Sequence, residues 1–410
     1  MAITDKEQGV WLNDQVYNKI NKGSIWNYNG VSGEAGAVWA WGYNTQGRLG
    51  QNQGPGGIAS ISSPIQVLSG SFQKPFMASD YVGGVNTSGE LWIVGENTYG
   101  ALGINDIVNR SSPVQVPGTT WAYASGNGGN TAGIMGGVKT NGTFWVWGYN
   151  HNGSLGQGNQ TSYSSPVQIP GTYLTSEGSF CSENQGSAGG VTAVIKDDNT
   201  LIMTGNNSHG QLGQNNTTDA ATAVTVPGTN WLKVSSDTYT AGAVRTDGTL
   251  YMWGYNASGV CGNNDAGGVG PSWGKTPVKH LSTPNQVPGT TWSQISVGGF
   301  TAGAVKTDGT LWMWGRNNEG QLGAPGIDTT TSLMGRSSPV QVPGTTWSQV
   351  TCSASVTQAF KTDGTLWAWG QNGNGELGQG DVTSFSSPVQ VPGVWSLMGR
   401  GRSISGAVKN

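Results

Sequence analysis

Few side chains in this 410-residue chain belong to the types that perform chemistry. Its three histidines are His151, His209 and His280, and imidazoles from neighbouring loops can bind a metal ion. His151 and His209 occupy equivalent loops of two repeat units, "GYNHNG" and "GNNSHG", and we expect both side chains to be exposed to solvent rather than to form a metal site. The sequence contains no nucleophile elbow, phosphate loop or zinc motif. We therefore predict that the protein is not an enzyme and has neither a cofactor nor a metal site.

The carboxylates and thiols also have structural explanations. Three aspartates stand in the sequence "TDGT", where Asp and Gly favour a tight turn: Asp247, Asp308 and Asp363. The cysteines are far apart and have no paired spacing, which indicates neither a disulfide framework nor a zinc site: Cys181, Cys261 and Cys352. Since Cys261 replaces a leucine of the repeat, we expect it to be buried.

A repeat of about fifty residues organises the chain, and such a period is typical of a propeller. The clearest copy is "AGAVKTDGTLWMWGRNNEGQLG" at Ala302–Gly323, and most copies are followed by a variant of "SSPVQVPGTTW". The glycine after each tryptophan-rich strand marks seven units: Gly42, Gly95, Gly148, Gly205, Gly254, Gly315 and Gly370.

Each unit is predicted to form four short strands. "AVKTDGTLWMW" predicts a hairpin around Asp-Gly, because glycine provides the positive φ of a tight turn. In its second strand Trp312 and Trp314 should face one side, with Leu311 and Met313 on the other. "SPVQVPG" predicts a third strand at an edge, where proline is tolerated, and Ser293–Gly298 predicts a fourth. The fold class is therefore all-β, a seven-bladed β-propeller over residues 37–410.

The two ends of the chain complement each other. The first unit lacks a strand of the "AGAVKTDG" type, and the C-terminal "SGAVKN" provides one. We predict that Ser405–Lys409 pairs with Val38–Trp41, so that N- and C-terminal strands close the propeller. Closure removes exposed sheet edges, which otherwise invite aggregation.

The "LWxWGxNxxGQLG" hairpins followed by "SSPVQVPG" resemble the repeats of the regulator of chromosome condensation family, over Ala37–Asn410. The resemblance implies a seven-bladed propeller. The resemblance does not identify a single function, because the family includes nuclear exchange factors, ultraviolet receptors and secreted inhibitors.

Composition narrows the choice of function. Charged residues make up 10% of the chain and the formal net charge is −3, so there is no basic footprint for a nucleic acid. The 18 tryptophans fall mostly in the repeat strands, and the few arginines give no charged dimer face of the kind that photoreceptor members use. No apolar run is long enough to span a membrane, and the N-terminus lacks the apolar core of a signal peptide.

Residues 1–36 precede the propeller as a short N-terminal arm. "TDKE" fits a helix capping box, and the segment either caps one end of the propeller or docks on another protein. Glu7–Gly30 resembles an N-terminal segment of virion proteins from tailed phages of marine bacteria. If the arm docks, Trp11, Tyr17 and Trp26 are its predicted anchors, because large aromatic side chains dominate interface energies.

The insert of the fifth unit, Asn263–Ser282, is the second region outside the repeat. It is either tolerated loop variation or a recognition loop on a rigid scaffold, with Trp273, Lys275, Lys279 and His280 as the candidate contacts.

These observations favour a non-enzymatic virion structural protein, namely a capsid decoration, tail or fibre component. It would be assembled in the host cytoplasm, docked on other virion proteins through its arm, and would display the propeller for host-surface or glycan binding. The alternative is a bacterial protein–protein interaction propeller, cytoplasmic or extracellular, with no association with a virion.

Overall fold

The computed structural model describes residues 36–44, 47–51, 59–127, 132–184, 189–264, 280–324, 335–399 and 404–409. All of them belong to the compact unit Glu34–Asn410. Residues 1–35 of the arm lie outside the described residues, so its helix and the boundary after residue 36 stay predictions. Within the described ranges no helix is both long and apolar enough to cross a membrane.

Twenty-eight strands in the described part of the chain form seven antiparallel sheets of four strands, which confirms the predicted all-β propeller. We number the blades 1 to 7 by the marker glycines, and letter the strands of each blade A to D from the axis outward. The A strands of neighbouring blades contact one another in sequence, from β27 (Trp395–Gly399) through β3 (Phe72–Met77) and onward to β23 (Trp347–Cys352). They therefore surround the central axis.

Blades 2 to 4 each run from A to D in chain order. Their strands are β3 (Phe72–Met77), β4 (Tyr81–Asn86), β5 (Leu91–Gly95), β6 (Arg110–Val116), β7 (Trp121–Asn127), β8 (Ile134–Lys139), β9 (Phe144–Gly148), β10 (Tyr163–Ile169), β11 (Phe180–Asn184), β12 (Gly190–Ile195), β13 (Leu201–Gly205) and β14 (Ala220–Thr225).

Blades 5 to 7 follow the same order, and a short 3₁₀ turn at Ala257–Gly259 follows strand C of blade 5. Their strands are β15 (Trp231–Ser236), β16 (Thr240–Arg245), β17 (Leu250–Tyr255), β18 (His280–Gln286), β19 (Trp292–Gly298), β20 (Thr301–Lys306), β21 (Leu311–Arg316), β22 (Gly335–Val342), β23 (Trp347–Cys352), β24 (Val356–Lys361), β25 (Leu366–Gly370) and β26 (Phe385–Gln390). The predicted strand at Ser293–Gly298 exists as β19, and it is strand A of the next blade.

Blade 1 is assembled from both ends of the chain, as predicted. Its strand order is β2-β1-β28-β27, with β1 (Val38–Tyr43), β2 (Ser60–Leu68), β27 (Trp395–Gly399) and β28 (Ile404–Lys409). Val38 pairs with Val408 and Trp41 pairs with Ser405. Strand B therefore comes from the C-terminal end and strand C from the N-terminal end.

The strand order gives the propeller two distinct faces. The B–C hairpins with their "TDG" turns and the D-to-A connections lie on one face, which we call the hairpin face. The A–B and C–D loops lie on the opposite face, which we call the loop face. In the hairpins the Asp308 carboxylate accepts hydrogen bonds from the Thr310 N–H and Oγ1, and the equivalent aspartates do the same, which confirms their role in turns.

The two sides of each C strand face different layers of core, as the alternation predicts. Trp314 is fully buried and Trp312 is half-buried in the core shared by blades 5 and 6. Leu311 and Met313 point into the core between blades 6 and 7. Cys261 is fully buried in the first of these cores, as expected from its place in the repeat.

An asparagine two residues after each marker glycine fixes the C–D loop. Its Oδ1 accepts the backbone N–H of the residue five positions later in all seven blades, at 2.8–3.0 Å. These asparagines are at most 4% exposed: Asn44, Asn97, Asn150, Asn207, Asn256, Asn317 and Asn372. Because a buried amide needs hydrogen-bond partners, the repeat requires this residue for structure, and the loop face is built on it.

Candidate functional site

The predicted recognition residues have different outcomes. Trp11, Tyr17 and Trp26 of the arm lie outside the described residues, and so do Trp273, Lys275 and Lys279 of the insert. They stay predictions. His280 is described: it begins β18, its side chain is exposed, and it pairs with Tyr255 across the sheet of blade 5.

His280 belongs to a group of stacked rings on the loop face. Its imidazole is stacked on that of His209, with ring centroids 4.9 Å apart and planes at 18°. Tyr255 completes the contact, with its centroid 4.9 Å from that of His209 and 5.6 Å from that of His280. The C–D loop of blade 4 and strands C and D of blade 5 thus meet at one point.

Two further rings extend this group toward blade 6. Tyr239 lies 5.2 Å from His209 and 6.3 Å from Phe300 between centroids, and the planes of Tyr239 and Phe300 differ by only 2°. Tyr255 also contacts Phe300 at 5.9 Å. We call these five residues the loop-face cluster: His209, Tyr239, Tyr255, His280 and Phe300. Apart from the exposed His280 the rings are half-buried, so each keeps some surface available to a partner.

The expectation of two solvent-exposed loop histidines is right for His151 and wrong for His209. His151 is exposed and stacks on Tyr149 at 5.9 Å, while Tyr149 contacts Tyr99 at 4.7 Å. His209 is half-buried, and its Nδ1 has no hydrogen-bond partner among the described residues. The tyrosines of blade 5 cover it, whereas no such cover was visible from the loop sequence alone.

Side-chain hydrogen bonds hold the cluster in place. The Asp237 carboxylate accepts the backbone N–H groups of Tyr239 and Thr240, at 2.8 and 2.7 Å, and the Thr240 hydroxyl donates to the Tyr255 carbonyl at 2.7 Å. Gln211 links the two blades: its Oε1 accepts the His209 N–H at 2.9 Å and its Nε2 donates to the Thr238 carbonyl at 3.0 Å. The rings are therefore presented on a rigid frame.

The cluster is electrically neutral near pH 7. Burial lowers the pKa of His209, and the neighbouring His280 lowers it further. Partial desolvation by its neighbours lowers the pKa of the otherwise exposed His280, and desolvation raises the pKa of Tyr255. Neither imidazole is therefore mainly charged at neutral pH, and the surface suits an uncharged ligand.

These shifts predict an acid sensitivity. A histidine whose pKa is lower in the folded state than its ordinary value of about 6.5 stabilises the fold at pH values above 6.5, and this stability is lost as the pH falls through the lowered pKa. We expect the thermal midpoint to fall between pH 7 and pH 5, and to fall less in His209→Phe, which keeps an aromatic ring but cannot be protonated. Scanning calorimetry measures this. His151→Phe is the matched control. If the fall of the thermal midpoint between pH 7 and pH 5 is reduced equally in both variants, the assignment to His209 is contradicted.

The repeat's own cations are used in packing on the hairpin side of the blades. Lys306 lies over the rings of Trp292 and Trp312 at 4.7 and 4.8 Å, and Lys361 lies over Trp347 at 4.9 Å. Equivalent cations in other blades are Lys139, Arg245 and Lys409. Such cation–π contacts stabilise the fold, so these charges explain structure rather than recognition of a charged partner.

Tyr239, Tyr255 and Phe300 were missed by the sequence argument. A signal existed, because Tyr239 and Phe300 both begin an aromatic-Thr-Ala-Gly-Ala-Val segment, and the same repeat position elsewhere holds Asp80, Gly133, Gly189, Ser355 or Ser403. Comparing the repeats position by position would have identified these two departures. No group of three or more His, Cys, Asp or Glu side chains placed to hold a metal occurs within the described ranges.

Family models place the same repeat in the chain. The regulator of chromosome condensation (RCC1) repeat matches residues 88–127, 141–176, 308–360 and 363–404, and a second model of that repeat matches residues 292–321. A curated relative is the mitochondrial RCC1 domain-containing protein RUG3 of Arabidopsis thaliana, which is 28% identical over 264 residues, or 62% of this chain. The chain spans 56% of that relative's length.

Solved structures show the same fold. The crystal structure of human WBSCR16 has a TM-score of 0.73 at 18% identity, over 92% of this chain and 100% of that one. Prp20p from Saccharomyces cerevisiae, whose structure is described with its binding properties to Gsp1p and histones, has a TM-score of 0.72 at 17% identity and covers 92% of each chain. Together with the strand order and register above, these likenesses show that the fold is a seven-bladed β-propeller.

Proposed function

We propose that the protein is a non-enzymatic binding protein whose propeller presents the loop-face cluster to a glycan. The observation that carries this proposal is the cluster itself, in which rings from blades 4, 5 and 6 are held together on one face by buried hydrogen bonds. Binding residues are commonly placed on loops of a rigid scaffold, and the loop face has that form.

The chemistry of the cluster favours a sugar over a charged partner. Aromatic side chains combine a large apolar face with a polar edge, and the C–H face of a pyranose ring is an apolar surface of similar size bordered by hydroxyls. The tyrosine hydroxyls and the imidazole nitrogens can exchange hydrogen bonds with those hydroxyls. Because both imidazoles are mainly neutral near pH 7, a neutral glycan meets no opposing charge.

In its finer form the proposal is that the protein is a component of a tailed-phage virion. The resemblance of Glu7–Gly30 to the N-terminal segment of such virion proteins supports this form, and the charged fraction of 10% suits a surface exposed on a particle. The arm would dock on other capsid or tail proteins, and the propeller would face outward. The structure of Prp20p is described with its binding to Gsp1p and histones, which are proteins. A protein-binding propeller without a virion is therefore the alternative.

Binding of the purified full-length chain to an array of neutral and acidic oligosaccharides tests the ligand. We expect saturable binding to neutral glycans, weakened about tenfold or more in Tyr255→Ala, because stacking and hydrogen bonds are both lost, and preserved within about threefold in Tyr255→Phe, which keeps the ring. Tyr99→Ala, on the separate ring pair of blades 2 and 3, is the control. Binding that is lost equally in Tyr99→Ala, or that is confined to acidic glycans, would contradict the proposal.

The virion form has its own experiment. In a native lysate the full-length chain should sediment with a particle of megadalton size and resist washing in salt, while a variant lacking residues 1–36 should fold but remain unbound. A soluble peak near the chain's own mass of 42.5 kDa for both proteins would instead support the free interaction module.

A further inference from the structure

A cavity of about 360 Å³ lies on the propeller axis, is lined by the A strands of blades 2 to 7 and is partly open to solvent. This size is within the range of small-molecule sites in proteins. Its walls are mostly polar or small side chains, including Ser235, Gln294, Ser296 and Gln349. The cavity is separate from the loop-face cluster, none of whose residues lines it.

Two charged residues from different blades line this cavity, and a third forms an ion pair with one of them. Lys233 of β15 and Glu177, which precedes β11, line it, and Lys74 of β3 joins them from blade 2. The Lys74 Nζ lies 3.3 Å from the Glu177 Oε2. The Lys233 ammonium donates instead to the Glu177 backbone carbonyl. The carboxylate is therefore engaged by Lys74, and two cations face a single anion.

The backbone near Glu177 is shaped to admit the lysine. Gly178 has φ +78°, and a Cβ at this position would lie 2.9 Å from the Lys233 Cδ. Any larger residue would both strain the left-handed backbone and push against the lysine stem. Glycine at position 178 thus leaves room for the Lys233 side chain to reach the cavity. A lysine exposed on the surface would not require this space.

Gln294, another polar residue of the wall, is held by a hydrogen bond between blades. The Gln294 Oε1 accepts the backbone N–H of Val350 at 2.9 Å, which connects blades 6 and 7. Its Nε2 group is thereby oriented as a donor, since the two ends of a primary amide have opposite roles. An ammonium and an amide donor consequently border the same cavity, and both suit an anionic oxygen.

Burial favours an additional anion here. Desolvation is the main cause that lowers the pKa of Lys233; the Glu177 charge raises it and the Lys74 charge lowers it again. A partly buried cation with incomplete compensation gains from a further negative charge. The protein places two cations, Lys233 and Lys74, near one carboxylate, that of Glu177. A bound anion would balance the extra positive charge.

We propose that the axial cavity is a binding site for a small organic anion, with a carboxylate or phosphate group held by Lys233 and the adjoining amide and hydroxyl groups. The volume limits the ligand to a metabolite-sized molecule. The site is independent of the glycan proposal, because it lies on the axis and uses other residues.

Isothermal titration calorimetry on the full-length chain tests this site with two probes, citrate and inorganic phosphate, at pH 7. We expect saturable binding of at least one probe, and the better probe shows whether a carboxylate or a phosphate is preferred.

Lys233→Met keeps the apolar stem and removes the charge, and should weaken binding about tenfold or more. Lys74→Met should weaken it less, because the Lys74 side chain is 30% exposed and pairs with Glu177. Arg336→Met, on the outermost strand of blade 6 and exposed, is the matched control and should bind as the unaltered chain does.

The pH dependence of binding gives a second readout. Affinity should fall as the pH rises through the lowered pKa of Lys233, at a lower pH than an ordinary lysine would require. Absence of binding of both probes at about 10 mM, where even weak anion sites are occupied, would overturn the proposal. Unchanged affinity in Lys233→Met, with circular dichroism showing the native fold, would also overturn it. If Lys233→Met does not fold, the Lys74→Met affinity and the pH profile decide, and both must shift for the proposal to stand.

Discussion

Removing residues 404–410 is expected to destabilise the protein by about 5 kcal/mol or more. Ile404 and Val408 of β28 are 1% and 2% exposed, and burying each such side chain is worth about 1.5–3 kcal/mol. The deletion also removes the hydrogen-bonded ladders that β28 forms with both β1 and β27. With an unfolding entropy of about 2.1 cal/mol/K per residue, each kcal/mol corresponds to about 1 °C for a chain of this length. Thermal unfolding should therefore shift by at least about 5 °C.

The loss should also expose sheet edges. Without β28 the pairing edges of β1 and β27 are both open, and open edges promote association between chains. We expect the truncated protein to aggregate on heating, as measured by light scattering alongside calorimetry. An unchanged thermal midpoint in the truncation would show that the closing strand is dispensable.

A circular permutant is the matched control for the truncation. The Gly36 N–H donates to the Lys409 carbonyl at 2.8 Å, and the Lys409 N–H donates to the Ala37 carbonyl at 3.1 Å. The end of β28 and the start of β1 are therefore adjacent. A "TDG" turn between Lys409 and Ala37 would recreate the B–C hairpin of the other blades, in which Ala37 takes the place of Thr310, with new termini placed between β17 and β18. This permutant should keep the stability of a parent that lacks the arm, because blade 1 keeps all four strands.

The fold was predictable because the same pattern recurs seven times. Three copies share the Asp-Gly turn, and every copy has the marker glycine, whose φ is positive in every blade, for example +92° at Gly315. There a Cβ would lie 2.2 Å from the Phe300 carbonyl oxygen, so no other residue is tolerated without rearrangement. A constraint that recurs in every copy can be read from sequence, and the closing strand was found because one copy of the pattern was incomplete.

The candidate sites were less predictable, since they depend on departures from the repeat and on contacts between distant segments. His280 was noticed because histidine is rare in this chain, but its partner His209 lies 71 positions away in sequence. Lys233 and Glu177 are separated by 56 positions, and their meeting depends on an irregular start of blade 4 that lacks the usual tryptophan. No local pattern encodes such a contact; only the ring geometry brings these residues together.

Trp314→Ala is the second large effect we expect, at about 3–5 kcal/mol. Trp314 is fully buried at the boundary of blades 5 and 6, and its indole Nε1 donates to the Val260 carbonyl of blade 5 at 2.8 Å. The side chain also packs on Trp292, with ring centroids 6.2 Å apart. The alanine leaves a cavity and an unpaired buried carbonyl, and each adds to the cost. Denaturant unfolding monitored by far-ultraviolet circular dichroism measures the change.

Trp312→Ala is the control on the same strand. Trp312 is half-buried, and its indole donates to the nearby Thr310 Oγ1 at 2.9 Å rather than to another blade. Its removal should cost about 1–2 kcal/mol, because less surface is buried and no bond between blades is lost. Equal costs for the two variants would contradict the view that the connection between blades makes the difference.

The chain contains a natural variant of this contact. In blade 4 the equivalent of Trp314 is Thr204, whose hydroxyl donates to the Ser154 carbonyl of blade 3 at 2.7 Å. The hydrogen bond between blades is thus kept where the large ring is not. Trp314→Phe keeps most of the volume and loses only the donor, so it should cost about 1–2 kcal/mol, whereas Trp314→Thr keeps a donor group and loses the volume. If volume is the larger contribution, Trp314→Thr will be the less stable of the two, and the propeller is then held together mainly by aromatic packing between its blades.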